Sequence, residues 1–374
     1  MNSTTKIIIS GGGTGGHIFP AIAIANALKK LDPDISILFV GAEGRMEMEK
    51  VPDAGYQIKG LEIQGLKRSL SLSNLGVVFK YFKSIKKAKK IIKDFRPDAA
   101  VGVGGYASAP LLKAAQNIKI PYIIQEQNSY AGVTNRMLSG KAQKICVAYE
   151  GMDKFFPAHK IILTGNPVRE NISKTRERDS SESKKWFGFS PDQKCILITG
   201  GSLGSATLNK SVKKWVEQNK ESETGIIWQC GKHYHSPLEE YLKHEKRENV
   251  RLFQFISEMD IAYSAADLVI SRAGACTISE LAIAGKAVIF VPSPNVAEDH
   301  QTHNAYSLVK KDAALMVPDK EAQDKLMETA TRLLNDPDRI KGLQNKIGLM
   351  AIENSDIKIA EEILKLIDHK KETK

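Results

Sequence analysis

Three short segments carry the residue types that could do chemistry. The first is Gly11-Gly12-Gly13-Thr14-Gly15-Gly16, followed at once by His17. Glycines in a G-x-G-x-x-G spacing let backbone approach a phosphate, and a helix opening there adds unpaired N–H donors and the positive end of its dipole. A tight strand-to-helix turn of any doubly wound sheet gives the same spacing. Dinucleotide binding also requires an acidic residue about 20 positions on, at the end of the second strand. Asp34 precedes that strand and Glu43 follows it by three residues, so neither is well placed. His17 stands at a ligand-facing helix start, where desolvation and the dipole favour a neutral imidazole able to act as a general base.

The second segment, Gly200-Gly201-Ser202-Leu203-Gly204-Ser205, sets the Ser202 hydroxyl beside exposed backbone N–H groups. Neither loop ends in the Gly-Lys-Ser/Thr of a nucleotide-hydrolysing P-loop, which argues against that class. The third runs from Arg272 to Glu280 and leads into a helix expected over 281–284, with Glu280 in its first turn and Gly285 closing it. Glu280 either favours the helix dipole or accepts two hydroxyls of a ribose, and Thr277 or Ser279 could contact a diphosphate. His233-x-His235 and His300-x-x-His303 have spacings compatible with a metal, but no Cys or carboxylate cluster joins them. Asp32-Pro33-Asp34 and Asp336-Pro337-Asp338 read as turns, so no metal site is expected.

The elements that must position these segments alternate. A strand over 6–10, a helix over 20–30 and strands over 35–40, 99–103 and 121–124 describe a parallel sheet with helices on both faces. The pattern restarts with a strand at 194–199, a helix at 207–218, and strands at 225–229, 250–253, 268–271 and 287–291. The fold class is therefore α/β, with two Rossmann-like domains, their parallel sheets facing across a cleft and ligands at the carboxyl ends of the strands. Domains are expected at 1–164, joined by a closing amphipathic helix within 352–374, and at 165–351. The polar stretch 171–185 suits a loop or a helix just past the linker.

Composition agrees with two ordinary globular domains. The 374 residues are 42% hydrophobic and 26% charged, which argues against disorder, collagen and small disulfide scaffolds. Four widely spaced cysteines without a C-x-x-C pair fit a reducing cytosol. Residues 7–28 lack Asp, Glu, Lys and Arg, but five glycines, Pro20 and His17 interrupt them, so neither a secretory signal nor a membrane span is expected. The 54 Lys and Arg against 43 Asp and Glu leave a formal charge of +11. Nine of those cations lie between Lys67 and Lys93, with no acid among them. There Leu75, Val78, Phe79, Phe82, Ile85 and Ile92 form one helical face, and Lys80, Lys83, Lys86, Lys87 and Lys90 the others. This is either a core-facing helix with a solvated back or an interfacial element on anionic lipid, or both in part. Aromatic interleaving is too thin for a nucleic-acid patch.

Several separated segments match one family in order: Gly11–His17 with Phe19-Pro20, Gly104-Gly105-Tyr106, Glu126-Gln127-Asn128, Gly165-Asn166-Pro167-Val168-Arg169, Gly200-Gly201-Ser202, 272–280, and His300-Gln301. Over nearly its whole length the chain resembles the MurG family of peptidoglycan glycosyltransferases. The resemblance implies a GT-B fold and inverting transfer of N-acetylglucosamine from UDP-N-acetylglucosamine to undecaprenyl-diphosphate-linked N-acetylmuramoyl-pentapeptide, lipid I to lipid II. It implies no cofactor beyond the substrates, and peripheral attachment to the cytoplasmic face of the cell membrane. The anionic membrane surface and other cell-wall synthesis proteins would be further partners, nucleic acid would not, and Leu75, Phe79, Phe82, Lys80, Lys83, Lys86 and Lys87 would associate with the membrane.

By the same resemblance Thr14, Gly15 and Gly16 reach the donor from the first domain, with Asn128 near the sugar. Arg169 and Ser202 face the diphosphate, Ile256 the uracil, Glu280 the ribose and Gln301 the sugar hydroxyls. Ala275, Cys276, Thr277, Ile278 and Ser279 supply helix-start contacts. The family often has His before Glu-Gln-Asn, where this chain has Gln125, which leaves His17 or Glu126 as the base. Two rivals remain at this stage: a dinucleotide-dependent oxidoreductase, and a non-catalytic membrane-surface tether on a sugar-nucleotide scaffold.

Overall fold

The computed structural model describes residues 4–63, 73–201 and 203–372; Ser202, residues 64–72 and the side chains of 73–78, Leu75 and Val78 among them, and of 369–372 lie outside the described residues. The chain forms two compact units, Met1–Val168 with Asn354–Lys374, and Arg169–Glu353.

The first unit comprises β1 (Lys6–Ser10), α1 (Gly15–Leu31), β2 (Ser36–Ala42), α2 (Glu47–Asp53), β3 (Gln57–Leu61), α3 (Ser73–Phe95), β4 (Ala99–Gly102), α4 (Ser108–Asn117), β5 (Tyr122–Glu126), α5 (Val133–Ser139), β6 (Lys144–Val147) and β7 (Ile161–Leu163). The second holds α6 (Ser180–Trp186), β8 (Cys195–Thr199), α7 (Ala206–Gln218), β9 (Gly225–Gln229), α8 (His235–Glu245), β10 (Val250–Phe253), α9 (Met259–Ala265), β11 (Leu268–Ser271), α10 (Ala275–Ala284), β12 (Val288–Phe290), α11 (His300–Val309), β13 (Leu315–Met316), α12 (Ala322–Leu334) and α13 (Pro337–Gly348). A last helix, α14 (Ser355–Glu372), packs on α1 of the first unit.

Among the described residues both sheets are parallel, ordered β3-β2-β1-β4-β5-β6-β7 and β10-β9-β8-β11-β12-β13. In each, strand order reverses beside the first strand, and the loops after β1 and β4, and after β8 and β11, meet at that switch point. The run Ile7-Ile8-Ile9 is fully buried because the sheet is covered on both faces. Ile8 points to a core with Ala100 and Ile124, while Ile7 and Ile9 point to Ile18 and Ile24 of α1 and to Ile359 and Ile363 of α14. In the second unit Ile196 and Ile198 pack with Leu208 and Val212 of α7 and Leu326 of α12.

Several boundaries differ from expectation. Helix α1 starts at Gly15, five residues early, because Gly13 alone of the loop glycines takes a left-handed φ, +87°. Pro20 therefore lies inside the helix, where the bond its N–H would give is missing. Helix α10 starts at Ala275, which puts Glu280 in the second turn. Strand β5 continues through Gln125 and Glu126, polar residues buried by partners rather than by an apolar face. The polar stretch after the linker is a 3-10 turn, Glu170–Arg176, followed by α6, which Asp179 caps.

The stripe on α3 is not one face. Ile85, Ala88 and Ile92 are buried, whereas Phe79 and Phe82 are 72% and 64% exposed. Lys83 and Lys87 pair with Glu62 and Glu43 at 2.8 and 2.7 Å. No described helix is long and apolar enough to cross a membrane.

Candidate active site

At the first switch point His17 joins three loops. Its Nδ1 lies 3.1 Å from the Val103 carbonyl and 2.9 Å from Gln127 Oε1, both acceptors, so Nδ1 carries the proton and Nε2 the lone pair. The Gln127 amide is oriented by its own donation to the Val103 carbonyl at 2.7 Å and to Gln125. The ring explains Gly104-Gly105. A Cβ on Gly104 would lie 3.0 Å from the imidazole, and one on Gly105 would lie 2.2 Å from the Gly12 carbonyl. Both glycines also take left-handed φ.

Below the same loop stands a residue that sequence reasoning missed. Glu47 is fully buried and accepts the N–H of Gly13 at 3.1 Å and that of Ala42 at 3.0 Å. Gly12 and Gly41 make room for it: a Cβ on Gly12 would lie 2.2 Å from Glu47 Oε1, and one on Gly41 would lie 2.5 Å from Cγ. A backbone donor expected to greet a phosphate is thus occupied by the protein's own carboxylate. The loop is braced from within, and its negative charge disfavours an anion bound at Gly13. Only the pairing of glycines at positions 12 and 41 with an acid just past the second strand hinted at this in the sequence.

Glu126, the alternative base, is 2% exposed and heavily engaged. Its Oε1 accepts from the Asn128 N–H and side-chain amide at 3.0 and 3.3 Å, and its Oε2 from the Gly132 N–H and Asn135 Nδ2 at 3.0 and 2.9 Å. It organises the loop between β5 and α5 and so sets where Asn128 stands. Gln125 is bonded to Asn166, which also donates to the Gln127 carbonyl. Thr14 caps α1 without a side-chain hydrogen bond.

In the second domain the Gly200 loop is organised by other groups. Arg272, at the end of β11, donates to Ser205 Oγ at 2.6 Å and to Asp319 at 2.5 Å, while Ser205 caps α7 by accepting the Leu208 N–H. Gln229, a polar residue ending an otherwise apolar strand, donates to Thr199 and to the Gly201 carbonyl and accepts the Ile256 N–H at 2.9 Å. It links Ile256, 3% exposed, to the glycine loop.

Helix α10 opens at Gly274 with no side-chain cap and no acid in its first turn, and its first internal bond is Ile278 N–H to Gly274 carbonyl at 3.0 Å. The N–H groups of Ala275, Cys276 and Thr277 therefore have no intrahelical acceptor. Ser279 already donates to the Ala275 carbonyl. Burial, and then Glu280, push the Cys276 thiol up to about 12, so it is no thiolate nucleophile. Gln301 accepts the Ser293 N–H at 2.8 Å. Among the described residues no group of three His, Cys, Asp or Glu could hold a metal ion.

Two residues assigned to different parts of one ligand lie against each other. Arg169 Nε and Nη2 donate to the two Glu280 oxygens at 2.9 and 3.1 Å, and Tyr263 Oη donates to Glu280 Oε2 at 3.1 Å. Burial opposes the Arg169 charge, but Glu280 outweighs it and holds the guanidinium above its ordinary pKa. Tyr263 is pushed well up by burial and then by Glu280, so it remains a donor. The Arg169 side chain is 43% exposed and Glu280 only 9%, so the arginine is the partner able to move.

Two parallel Rossmann-like domains, each with a glycine loop at its switch point, define the GT-B class of glycosyltransferases. Family models agree: the glycosyltransferase family 28 N-terminal domain matches residues 7–147 and its C-terminal domain residues 195–369. A UDP-N-acetylglucosamine--N-acetylmuramyl-(pentapeptide) pyrophosphoryl-undecaprenol N-acetylglucosamine transferase from Parabacteroides distasonis is 54% identical over 365 residues, 98% of this chain and 99% of the relative. One of the same description from Bacteroides fragilis is 52% identical over 363 residues, 96% of this chain and 95% of the relative. The crystal structure of Acinetobacter baumannii MurG matches with a TM-score of 0.79 at 29% identity, covering 97% of this chain and all of that one. The chain belongs to the MurG family.

Proposed function

We propose that this protein transfers N-acetylglucosamine from UDP-N-acetylglucosamine to undecaprenyl-diphosphate-linked N-acetylmuramoyl-pentapeptide, with inversion, to make lipid II for peptidoglycan. The observation that carries this is the full-length similarity to transferases of that description. In the reaction the acceptor hydroxyl oxygen attacks the anomeric carbon, the bond from that carbon to the donor diphosphate breaks, and UDP leaves with the electron pair. His17 Nε2 takes the hydroxyl proton, because Val103 and Gln127 fix the Nδ1–H tautomer. Glu126 acts by placing Asn128 near the sugar rather than as the base. Thr14, Gly15 and Gly16 contribute from the start of α1.

The second domain holds the donor. The free N–H groups at the start of α10, with Ser202 and Arg169, receive the charge that grows on the diphosphate. Ile256 faces the uracil and Gln301 the sugar hydroxyls. On donor binding Arg169 leaves Glu280 for the diphosphate, and the two ribose hydroxyls replace its two N–H donors on the buried carboxylate. The exchange keeps Glu280 satisfied, which a buried charge requires.

The acceptor's lipid tail places the enzyme at the cytoplasmic face of the membrane. Phe79 and Phe82, with Lys80 and Lys86 beside them, make the contact; Lys83 and Lys87 contribute less because Glu62 and Glu43 already neutralise them. Vesicle binding with no preference for anionic over neutral lipid would contradict the contact. For the reaction, the test is transfer of labelled N-acetylglucosamine from its UDP donor to a short-chain lipid I analogue. Labelled disaccharide product is expected; a folded protein that binds UDP and vesicles yet makes none would be the tether instead.

A further inference from the structure

At the end of the second sheet away from the Gly200 loop, where α10 turns into β12, lies a cavity of about 510 Å³. Helix α10 has ten residues, so the cavity is about 15 Å from the helix start that serves the donor. Arg176, Arg178, Lys286 and Lys341 line it, and among the described residues no Asp or Glu does. Local carboxylates cover only part of that charge. Arg178 pairs with buried Asp260 at 2.5 Å, and Lys286 lies near Asp267, which also pairs with Lys184. Among the described residues Arg176 and Lys341 meet no carboxylate.

Helix ends explain some of the cations. Lys286 Nζ donates to the Ser264 and Ala266 carbonyls at 3.3 and 2.9 Å, and Arg176 Nη2 to the Ala282 carbonyl at 2.9 Å. A helix C-terminus carries only about half a charge, so these contacts leave Lys341 and the other Arg176 donors uncompensated. The guanidinium also has a made place: a Cβ on Gly285 would lie 3.2 Å from it and one on Gly348 3.0 Å. Thr175, a further lining residue, is 3% exposed and its hydroxyl has no hydrogen-bond partner. A buried hydroxyl without a partner is costly, so hydrogen bonding in this wall of the cavity is incomplete.

We propose that this cavity is a second anion site, distinct from the donor site, taking a phosphate-bearing ligand such as a diphosphate or phosphate monoester. Burial drops the Lys286 amine to about 8, and an anion alongside would raise it again. A soluble phosphate compound and a lipid headgroup share this chemistry, and the test separates them.

The test is calorimetric titration of pyrophosphate into the intact protein saturated with UDP, so that the donor site is filled. Uptake that persists under UDP and weakens about tenfold in Lys341→Gln is the expected result. Lys341 is exposed, so this variant keeps the test usable if Arg176→Gln does not fold. Loss of affinity for phosphatidylglycerol vesicles in the same variant would identify a headgroup; loss for pyrophosphate alone would identify a soluble ligand. No uptake under UDP, or uptake unchanged in Lys341→Gln, overturns the proposal.

Discussion

The two domains begin with the same device, a parallel strand, a glycine loop and a helix at a switch point, and they electrify it in opposite ways. In the first, a buried carboxylate, Glu47, occupies the Gly13 N–H, and the side chain tying the two switch-point loops is an imidazole, His17. In the second the tie is a guanidinium, Arg272 to Ser205, and the neighbouring helix α10 opens with uncapped N–H groups. One loop is negative within; around the other the Arg272 charge is matched by Asp319, and the positive potential comes from the uncapped N–H groups that open α10. A glycine spacing therefore specifies close backbone approach, while the chemistry comes from side chains brought in from elsewhere.

The sharpest way to break this comparison is at the Arg169–Glu280 pair. Glu280→Gln should weaken UDP binding by about 10- to 100-fold, since the amide offers one acceptor oxygen where the proposed exchange needs two for the ribose hydroxyls. Titration calorimetry would read it, and unchanged UDP affinity would remove the exchange at Glu280. Smaller and of the opposite kind is Glu47→Gln. The new amide N–H₂ must confront the Gly13 or the Ala42 N–H, so transfer should fall about tenfold while UDP affinity holds. Equal losses in both would make Glu47 a general stability residue.

Smaller again, Phe79→Ser with Phe82→Ser should reduce binding to anionic vesicles several-fold without changing UDP affinity, which a sedimentation assay with phosphatidylglycerol would measure. The least effect is expected far from both loops. Burial sets the Lys286 pKa at about 8, below its ordinary 10.5, so the unfolded chain binds more protons between those values. Stability should thus rise with pH from about 8 to 10.5, and Lys286→Met should flatten that slope in thermal melts; an identical slope would place the amine in water.

Much of this was legible before any coordinates. Apolar strands ending in glycine announce themselves, and Ile7-Ile8-Ile9 and the 225–229 and 268–271 strands lie where the pattern puts them. The starts of α1 and α10 were not, because Gly15, Gly16 and Ala275 to Ser279 read as loop by composition yet adopt helix once the strand before them is fixed. Strand β5 hid its last residues because Gln125 and Glu126 are polar, and only partners distant in sequence, such as Asn166, make them buriable. The same holds for the site. His17, Arg169 and Glu280 sit in motifs, whereas Glu47, Gln229 and Tyr263 act through contacts that no local spacing encodes.

The division of labour between the loops is tested most directly by His17→Ala, read in two ways on one folded preparation. UDP affinity should stay within about twofold of the wild type, while transfer to the lipid I analogue falls about 100- to 10,000-fold. Transfer that survives the substitution, or UDP binding lost along with it, would contradict the assignment of proton removal to the first loop and donor binding to the second.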